Sequence, residues 1–236
     1  MEIINSPKRE RPLIDELAVK QVSRRKFMSW AGILGATATV SLATACKKDN
    51  DSNSNEGINL GSGDTGILNY AYALEQLEAA FYIQVVSSYY SGINDEEKSL
   101  LRDIRDHEIA HREFFKAALA GSAIPALEVN FSGINFTSRD SVLATAKAFE
   151  DLGVAAYNGA GPLIVSKDYL TLAGKIVSVE ARHAALIRDR ISNGSFVGAD
   201  VVEQTNATEI SKMPSEVLPI AQMFLKTKIN GNNLPS

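Results

Sequence analysis

The sequence predicts an all-α fold, a bundle of four long helices in two helical hairpins that a long crossover joins, with a short helix near the C-terminus. Two observations support this prediction. Apolar residues recur three and four positions apart through four segments of roughly 25 residues each, as in helices that bury one face. Short breaks lie inside each pair of segments, and a longer one, residues 121–137, lies between the pairs.

The first hairpin is predicted to begin at Asp64 or Thr65. Its first helix runs through residues 67–90, and its helical stripe holds Leu68, Ala71, Tyr72, Glu75, Ala79, Tyr82 and Val86. Asn94, followed three residues later by Glu97, resembles a capping box and predicts a second helix that extends to about Leu119. The crossover alternates apolar and polar residues like an extended segment, but the sequence shows no strand partner for it.

The second hairpin repeats this plan and completes a bundle over residues 64–193. Ser138 or Asp140 begins its first helix, and a segment rich in glycine and proline ends that helix near residue 161. Its second helix runs over about 166–192, up to the Asn193-Gly194 break. Residues 194–236 form a C-terminal extension, in which a short helix is predicted within 214–229 although Pro219 disfavours it.

The N-terminal segment, residues 1–45, predicts an export signal. Arg24 and Arg25 precede an apolar, alanine-rich run that is too short for a stable membrane span, and small residues lead to Cys46. This arrangement is typical of a twin-arginine signal that ends at a lipoprotein cysteine, so Cys46 is the predicted cleavage and lipidation site. A permanent N-terminal membrane anchor is the alternative. Residues 46–63 are polar and predict a flexible tether.

These features predict an exported protein, either periplasmic or attached to the envelope, including the outer membrane, through a lipid on Cys46. The twin-arginine translocase is then an expected partner. Residues 1–45 hold seven of the 24 basic and four of the 28 acidic residues, which leaves 17 against 24 and a formal charge of −7. A body of that charge repels phosphate backbones at long range, so no nucleic-acid partner is expected.

Two copies of the motif Glu-x-x-His predict a metal site. Glu108-x-x-His111 lies on the second helix and Glu180-x-x-His183 on the fourth, and these motifs use two of the chain's three histidines. Residues three apart share one helix face, so each pair can hold a common ion. The first and third helices each add a glutamate in an apolar stripe, Glu75 and Glu150. Four carboxylates and two imidazoles suit two metal ions.

An internal repeat supports the same interpretation. Tyr82 follows Glu75 by seven residues and Tyr157 follows Glu150 by seven, and a Glu-x-x-His motif comes about 30 residues after each glutamate. The first helix leaves one ambiguity, because Glu78 lies 30 residues before Glu108 just as Glu150 lies 30 before Glu180. Glu75 fits the tyrosine spacing and is favoured, but Glu78 stays a candidate ligand or a residue behind the ligands.

The stretches LEQLEAAFY, RDHEIAHREFF and VEARHAALI resemble the ferritin-like domain family, especially its exported, desiccation-related members. This resemblance implies two iron or two manganese ions, with Glu108 and Glu180 bridging them. It implies that the other ligands are Glu75, His111, Glu150 and His183, and that Tyr82 and Tyr157 hydrogen-bond to ligands. The implied chemistry is oxidation of iron or removal of peroxide or oxygen, by a ferroxidase or a peroxidase- or catalase-like enzyme.

Three alternatives stay open at this point. His107-Glu108-x-x-His111 also spells the motif of zinc proteases, although that assignment leaves Glu180 and His183 without a role; otherwise His107 is expected at the helix surface or behind a ligand. A non-catalytic helical envelope or stress protein, with a structural metal or none, is the second alternative. The third is storage in a homo-oligomeric shell, which a lipidated tether would crowd.

Overall fold

The computed structural model describes residues 57–236, and the expectations for Arg24, Arg25 and Cys46 lie outside this part of the chain. The all-α prediction is confirmed, because the described residues form five α-helices and almost no strand. The helices are α1 (Gly63–Ser87), α2 (Asp95–Leu119), α3 (Arg139–Ala160), α4 (Lys167–Ile191) and α5 (Pro214–Gln222), and the strands are β1 (Ile58–Asn59) and β2 (Ile229–Asn230).

Side-chain caps define the starts of three long helices. The side chains of Asn94, Ser138 and Ser166 each accept a hydrogen bond from the backbone N–H three residues ahead, at the starts of α2, α3 and α4. The capping box predicted at Asn94 is only half formed, since Glu97 instead accepts hydrogen bonds from Tyr90 and Arg139. The same contact explains why α1 ends three residues earlier than predicted: Tyr90 turns back into the core.

Helix α1 is the central element of the bundle. It packs along α2 and crosses α3, while α3 packs along α4. The sequence predicted a single buried stripe on α1, but its residues from Gly66 to Ala79 are buried on every side. A helix that is buried all round occupies the core of the fold, and its few polar side chains there include Glu75 and Glu78. In the described part of the chain, no helix is both long and apolar enough to cross a membrane.

The ends of the described chain pair with each other. Residues 57–62 were expected to belong to the tether, but Ile58 and Asn59 form a parallel pair with Ile229 and Asn230. Leu60 is fully buried beside this pair, and its carbonyl accepts a hydrogen bond from the Asn69 side chain. The apolar residues Ile58 and Leu60 explain the difference, since they bury surface against the bundle.

The C-terminal extension covers the side of the bundle formed by α1 and α3. Val217 and Ala221 of α5 are buried, and Phe224 packs edge-on against Phe149 of α3 at 4.7 Å between ring centroids. The crossover finds its extended partner here, because Val129 bridges to Leu225 in an antiparallel pair. The part of the extension from Pro214 to Leu225 therefore contributes to the core of the bundle.

Substituting Val217 with Asp tests this role of the extension. Val217 is 0% exposed, so an unpaired carboxylate there should lower the free energy of unfolding by roughly 3 kcal/mol or more. Ser215→Asp is the control, because Ser215 lies two residues earlier at an exposed position of α5. This variant should change the free energy of unfolding by less than about 0.5 kcal/mol. Urea denaturation followed by circular dichroism measures both, and equal effects of the two variants would contradict the packing described here.

Candidate metal centre

Side chains from the four long helices converge at the middle of the bundle in two overlapping groups. The first group comprises Glu75, Glu108, His111 and Glu180, and the second comprises Glu108, Glu150, Glu180 and His183. Within each group, one potential ligand atom from every residue lies within 4.8 Å of the others. Glu108 and Glu180 belong to both groups, so each offers its carboxylate to two neighbouring positions. All six residues were predicted ligands, and the structure brings them together.

The four glutamates of these groups are fully buried. Buried polar atoms normally have hydrogen-bond partners, and those without one require an explanation. Here six carboxylate oxygens and two ring nitrogens lack a hydrogen bond of acceptable geometry: Glu75 Oε2, both oxygens of Glu108 and Glu180, Glu150 Oε2, His111 Nδ1 and His183 Nδ1. Because these atoms belong to the two overlapping groups, the donor set fits a pair of metal ions with carboxylate and imidazole ligands.

The two histidines enter the groups in equivalent ways. His111 Nδ1 lies 2.7 Å from a Glu180 oxygen, and 3.5 Å and 3.7 Å from oxygens of Glu75 and Glu108. His183 Nδ1 lies 2.8 Å from a Glu108 oxygen, and 3.4 Å and 3.5 Å from oxygens of Glu180 and Glu150. Each imidazole therefore presents the same nitrogen to one carboxylate of its own motif and to the bridging carboxylate of the other.

The crowding of carboxylates perturbs their titration. Burial and the nearby Glu180 charge raise the pKa of Glu75 well above its ordinary value, and burial raises the pKa of Glu150 to about 8. Burial also acts on Glu180, but contacts with both histidines outweigh it and lower the pKa of Glu180. The carboxylates likewise overcome burial and raise the pKa of His183. Without metal, protons balance these charges, so metal binding must displace protons.

Two tyrosines cross between the hairpins to hold the outer glutamates. The Tyr82 hydroxyl of α1 donates to Glu150 Oε1 of α3 at 2.5 Å, and the Tyr157 hydroxyl of α3 donates to Glu75 Oε1 of α1. The seven-residue spacing explains the crossing, because seven residues span about 10.5 Å of helix, too far for a tyrosine to reach the glutamate of its own helix. An antiparallel neighbour brings each tyrosine opposite the other glutamate.

Replacing these tyrosines with phenylalanine removes only the hydroxyls. Tyr82→Phe should weaken metal binding roughly 10-fold or more, because Glu150 loses the donor that orients its carboxylate, and Tyr157→Phe should act equally through Glu75. Competition with a chelator for bound Mn²⁺ measures the change. Tyr89→Phe is the control, since Tyr89 is only half-buried and lies outside both groups. Unchanged affinity in both variants would limit the tyrosines to packing.

Glu78 lies outside both ligand groups, unlike the other glutamate candidates. Its side chain is buried and faces Gly153 of α3, where an added Cβ atom would come within 3.0 Å of Glu78 Oε1. Gly153 occupies the position in the repeat that corresponds to Glu78, three residues after Glu150. The repeat is therefore broken here, and the fifth carboxylate fills the space that glycine leaves. Burial and the four neighbouring carboxylates raise its pKa.

His107, the first histidine of the protease-like motif, lies outside both ligand groups. It is exposed, and its Nδ1 lies 2.9 Å from His183 Nε2. The two rings stack with 16° between their planes. His107 and His111 therefore do not converge on one ion as zinc-protease ligands do. The sequence indicated a position behind a ligand, but not that this ligand belongs to the other hairpin.

The two ligand groups differ in how far their histidines are exposed to solvent. The His111 side chain is 13% exposed and the His183 side chain 5%. An apolar pocket of about 30 Å³ is lined by residues that include Leu74, Phe115 and Tyr157. Tyr157 lines this pocket, and its hydroxyl donates a hydrogen bond to the Glu75 carboxylate. The histidine of the group that contains Glu75 is thus the more exposed of the two.

A family model for the ferritin-like domain matches residues 63–193. This range covers more than half of the 236-residue chain and contains all four long helices with both ligand groups. No curated protein matches the chain significantly.

Proposed function

The chain belongs to the ferritin-like domain family, and from this premise we propose that it is a dinuclear metalloprotein that oxidises iron or removes peroxide or oxygen. Its six ligands would hold two iron or two manganese ions. The observation that carries the proposal is the sharing of Glu108 and Glu180 between two ligand groups. Carboxylates shared in this way would hold two ions in neighbouring positions, which suits reactions that transfer two electrons together.

Charge balance supports a pair of divalent ions. The two groups contain four carboxylates, and four negative charges match two divalent cations in a buried site, where unbalanced charge is costly. A bound iron or manganese pair would supply the electrons for reducing oxygen or peroxide, or accept those of Fe²⁺. Hard carboxylate ligands favour the oxidised ions.

The protein residues have separate tasks in this proposal. Tyr82 and Tyr157 orient the outer carboxylates by donating hydrogen bonds to them. The apolar residues around the groups exclude bulk water and retain reactive species. The pocket beside Tyr157 suits a small uncharged molecule such as oxygen or peroxide, since it is nearly all apolar and offers room for little more than one or two waters.

Metal content and oxidant reactivity of the purified protein test the proposal. We expect about two iron or manganese ions per chain and consumption of peroxide by the reduced protein. The variant Glu108→Ala/Glu180→Ala should bind neither ion and consume no peroxide, because both positions lose a ligand. Glu113→Ala is the matched control, since Glu113 lies on α2 with an exposed side chain paired to Arg112.

Other outcomes would overturn parts of the proposal. Two tightly bound ions without any reaction with peroxide or oxygen would favour a stress or envelope protein with a structural metal. A folded protein that binds no iron or manganese would contradict the dinuclear centre itself. A defined shell of many subunits in light scattering, together with retained ferric mineral, would indicate storage.

We further propose that the protein is exported, as in the desiccation-related members of the family, and anchored to the envelope by a lipid on Cys46. Arg24 and Arg25 would engage the twin-arginine translocase, a route suited to proteins that fold before transport. Arg24→Lys/Arg25→Lys should leave the protein in the cytoplasm, and Cys46→Ser should abolish labelling by a fatty acid. Export that persists in the double-lysine variant would contradict this route.

A further inference from the structure

We propose that the two metal positions bind with unequal affinity and that His107 is the positioning residue that makes the His183 position the tighter one. This inference rests on the proposed dinuclear centre and adds an order in which its two positions fill. It starts from the contact between His107 Nδ1 and His183 Nε2, at 2.9 Å.

The geometry fixes which proton lies in this contact. His183 turns Nδ1 toward Glu108, Glu150 and Glu180, so an ion held by that group would take the Nδ1 lone pair. The ring proton must then be on Nε2, which donates it to His107 Nδ1. A hydrogen bond to the second nitrogen of a ligating histidine fixes the ring orientation and its tautomer, and it makes the ring a stronger ligand.

His111 lacks this support in the part of the chain that the structure describes. Its only close polar contacts run through Nδ1, to Glu75, Glu108 and Glu180. The helical repeat explains the difference: Glu108 corresponds to Glu180 and His111 to His183, which makes Val179 the counterpart of His107. Valine has no group that can accept a proton from a ring nitrogen.

Packing adds to this inequality. The rings of His107 and His183 lie nearly parallel, with centroids 5.1 Å apart, so His107 also covers its partner. The His111 side chain is more exposed than that of His183, and a more exposed ligand exchanges its ion with solvent more easily. An ion at the His183 position should therefore bind first and leave last.

Titration of the metal-free full-length protein with Co²⁺ tests this order, because the absorption of Co²⁺ reports each binding step without any turnover. We expect two steps whose dissociation constants differ roughly 10- to 100-fold. His107→Ala should weaken the tighter step by about that factor and leave the weaker step unchanged. His107→Gln should restore most of the affinity, because the amide oxygen can accept the same proton.

Variants of the ligands assign the steps to positions. In the His111→Ala variant, the remaining ion should bind tightly, and adding His107→Ala should weaken its binding. In the His183→Ala variant, the remaining ion should bind weakly, and adding His107→Ala should leave its affinity unchanged. Val179→His offers the converse change, since it places an imidazole at the equivalent position and should tighten the weaker step. Asp106→Ala, at an exposed neighbour of His107, is the control for general effects on α2.

The outcomes separate this inference from the proposed function. Two equal steps, or two steps that His107→Ala does not alter, would overturn the role of His107 and leave the dinuclear centre intact. Absence of any Co²⁺ binding by the folded wild-type protein would overturn both. Equal weakening of both steps by His107→Ala, with no recovery in His107→Gln, would reduce His107 to a contributor to general folding.

Discussion

Saturating the metal-free protein with Mn²⁺ is expected to raise its free energy of unfolding by about 5 kcal/mol, since a ligand at 100 times its dissociation constant adds about 2.7 kcal/mol per site. The buried groups give the physical reason. Without metal, four carboxylates with no exposure share the middle of the bundle, where unbalanced charge is costly. Urea denaturation at pH 7, with and without Mn²⁺, measures the gain, and Glu108→Ala/Glu180→Ala should show none.

The gain in the free energy of unfolding on binding Mn²⁺ should become smaller as the pH falls. Neighbouring carboxylates raise the pKa of His183 to about 12, although burial acts in the opposite direction. A raised pKa stabilises the metal-free fold fully below the unfolded value near 6.5, and this contribution is lost progressively as the pH rises from there through about 12. Metal binding needs the deprotonated ring, so each displaced proton should lower the gain by about 1.4 kcal/mol per pH unit. A gain independent of pH would contradict binding through these histidines.

Replacing Phe81 with Ala is expected to lower the free energy of unfolding by about 3–5 kcal/mol, the usual cost of removing a fully buried phenylalanine. Phe81 of α1 is fully buried. Its ring lies 5.2 Å from that of Phe149 and 6.1 Å and 5.9 Å from those of Phe131 and Phe136. Because Phe131 and Phe136 belong to the crossover, the variant loses the contact that fixes the connection between hairpins.

Ile83→Ala is the matched control for Phe81→Ala. Ile83 lies two residues further along α1 and is 40% exposed, so its truncation should cost less than about 1 kcal/mol. Thermal unfolding of the three proteins, all without metal, separates packing from metal effects. If Phe81→Ala costs no more than Ile83→Ala, the aromatic cluster does not contribute to stability as its burial indicates.

Local signals sufficed to predict the long helices. Asn94, Ser138 and Ser166 act within one turn of their own positions, so the sequence reveals where α2, α3 and α4 begin. The burial of α1 on all sides was not predictable in this way, because the residues that cover it come from distant segments. Val217 of α5 follows α1 by more than a hundred residues.

The ligand motifs were equally local, but the contacts between helices were not. Glu75 and Glu78 are three residues apart and both face the core, so periodicity alone could not choose between them. The choice depends on Gly153, whose missing side chain leaves room for Glu78. The crossing of the tyrosines likewise depends on the antiparallel packing of α1 and α3.

The division of ligands between the hairpins has a consequence for assembly. Each group takes three residues from one hairpin and a single bridging glutamate, Glu180 or Glu108, from the other. Either hairpin alone therefore carries most of one position and must find a second hairpin to complete it. The chain therefore behaves as two hairpins joined by a linker. The length of the crossover sets the effective concentration of one hairpin relative to the other. Two fragments cut within the crossover should thus associate more tightly when metal is present.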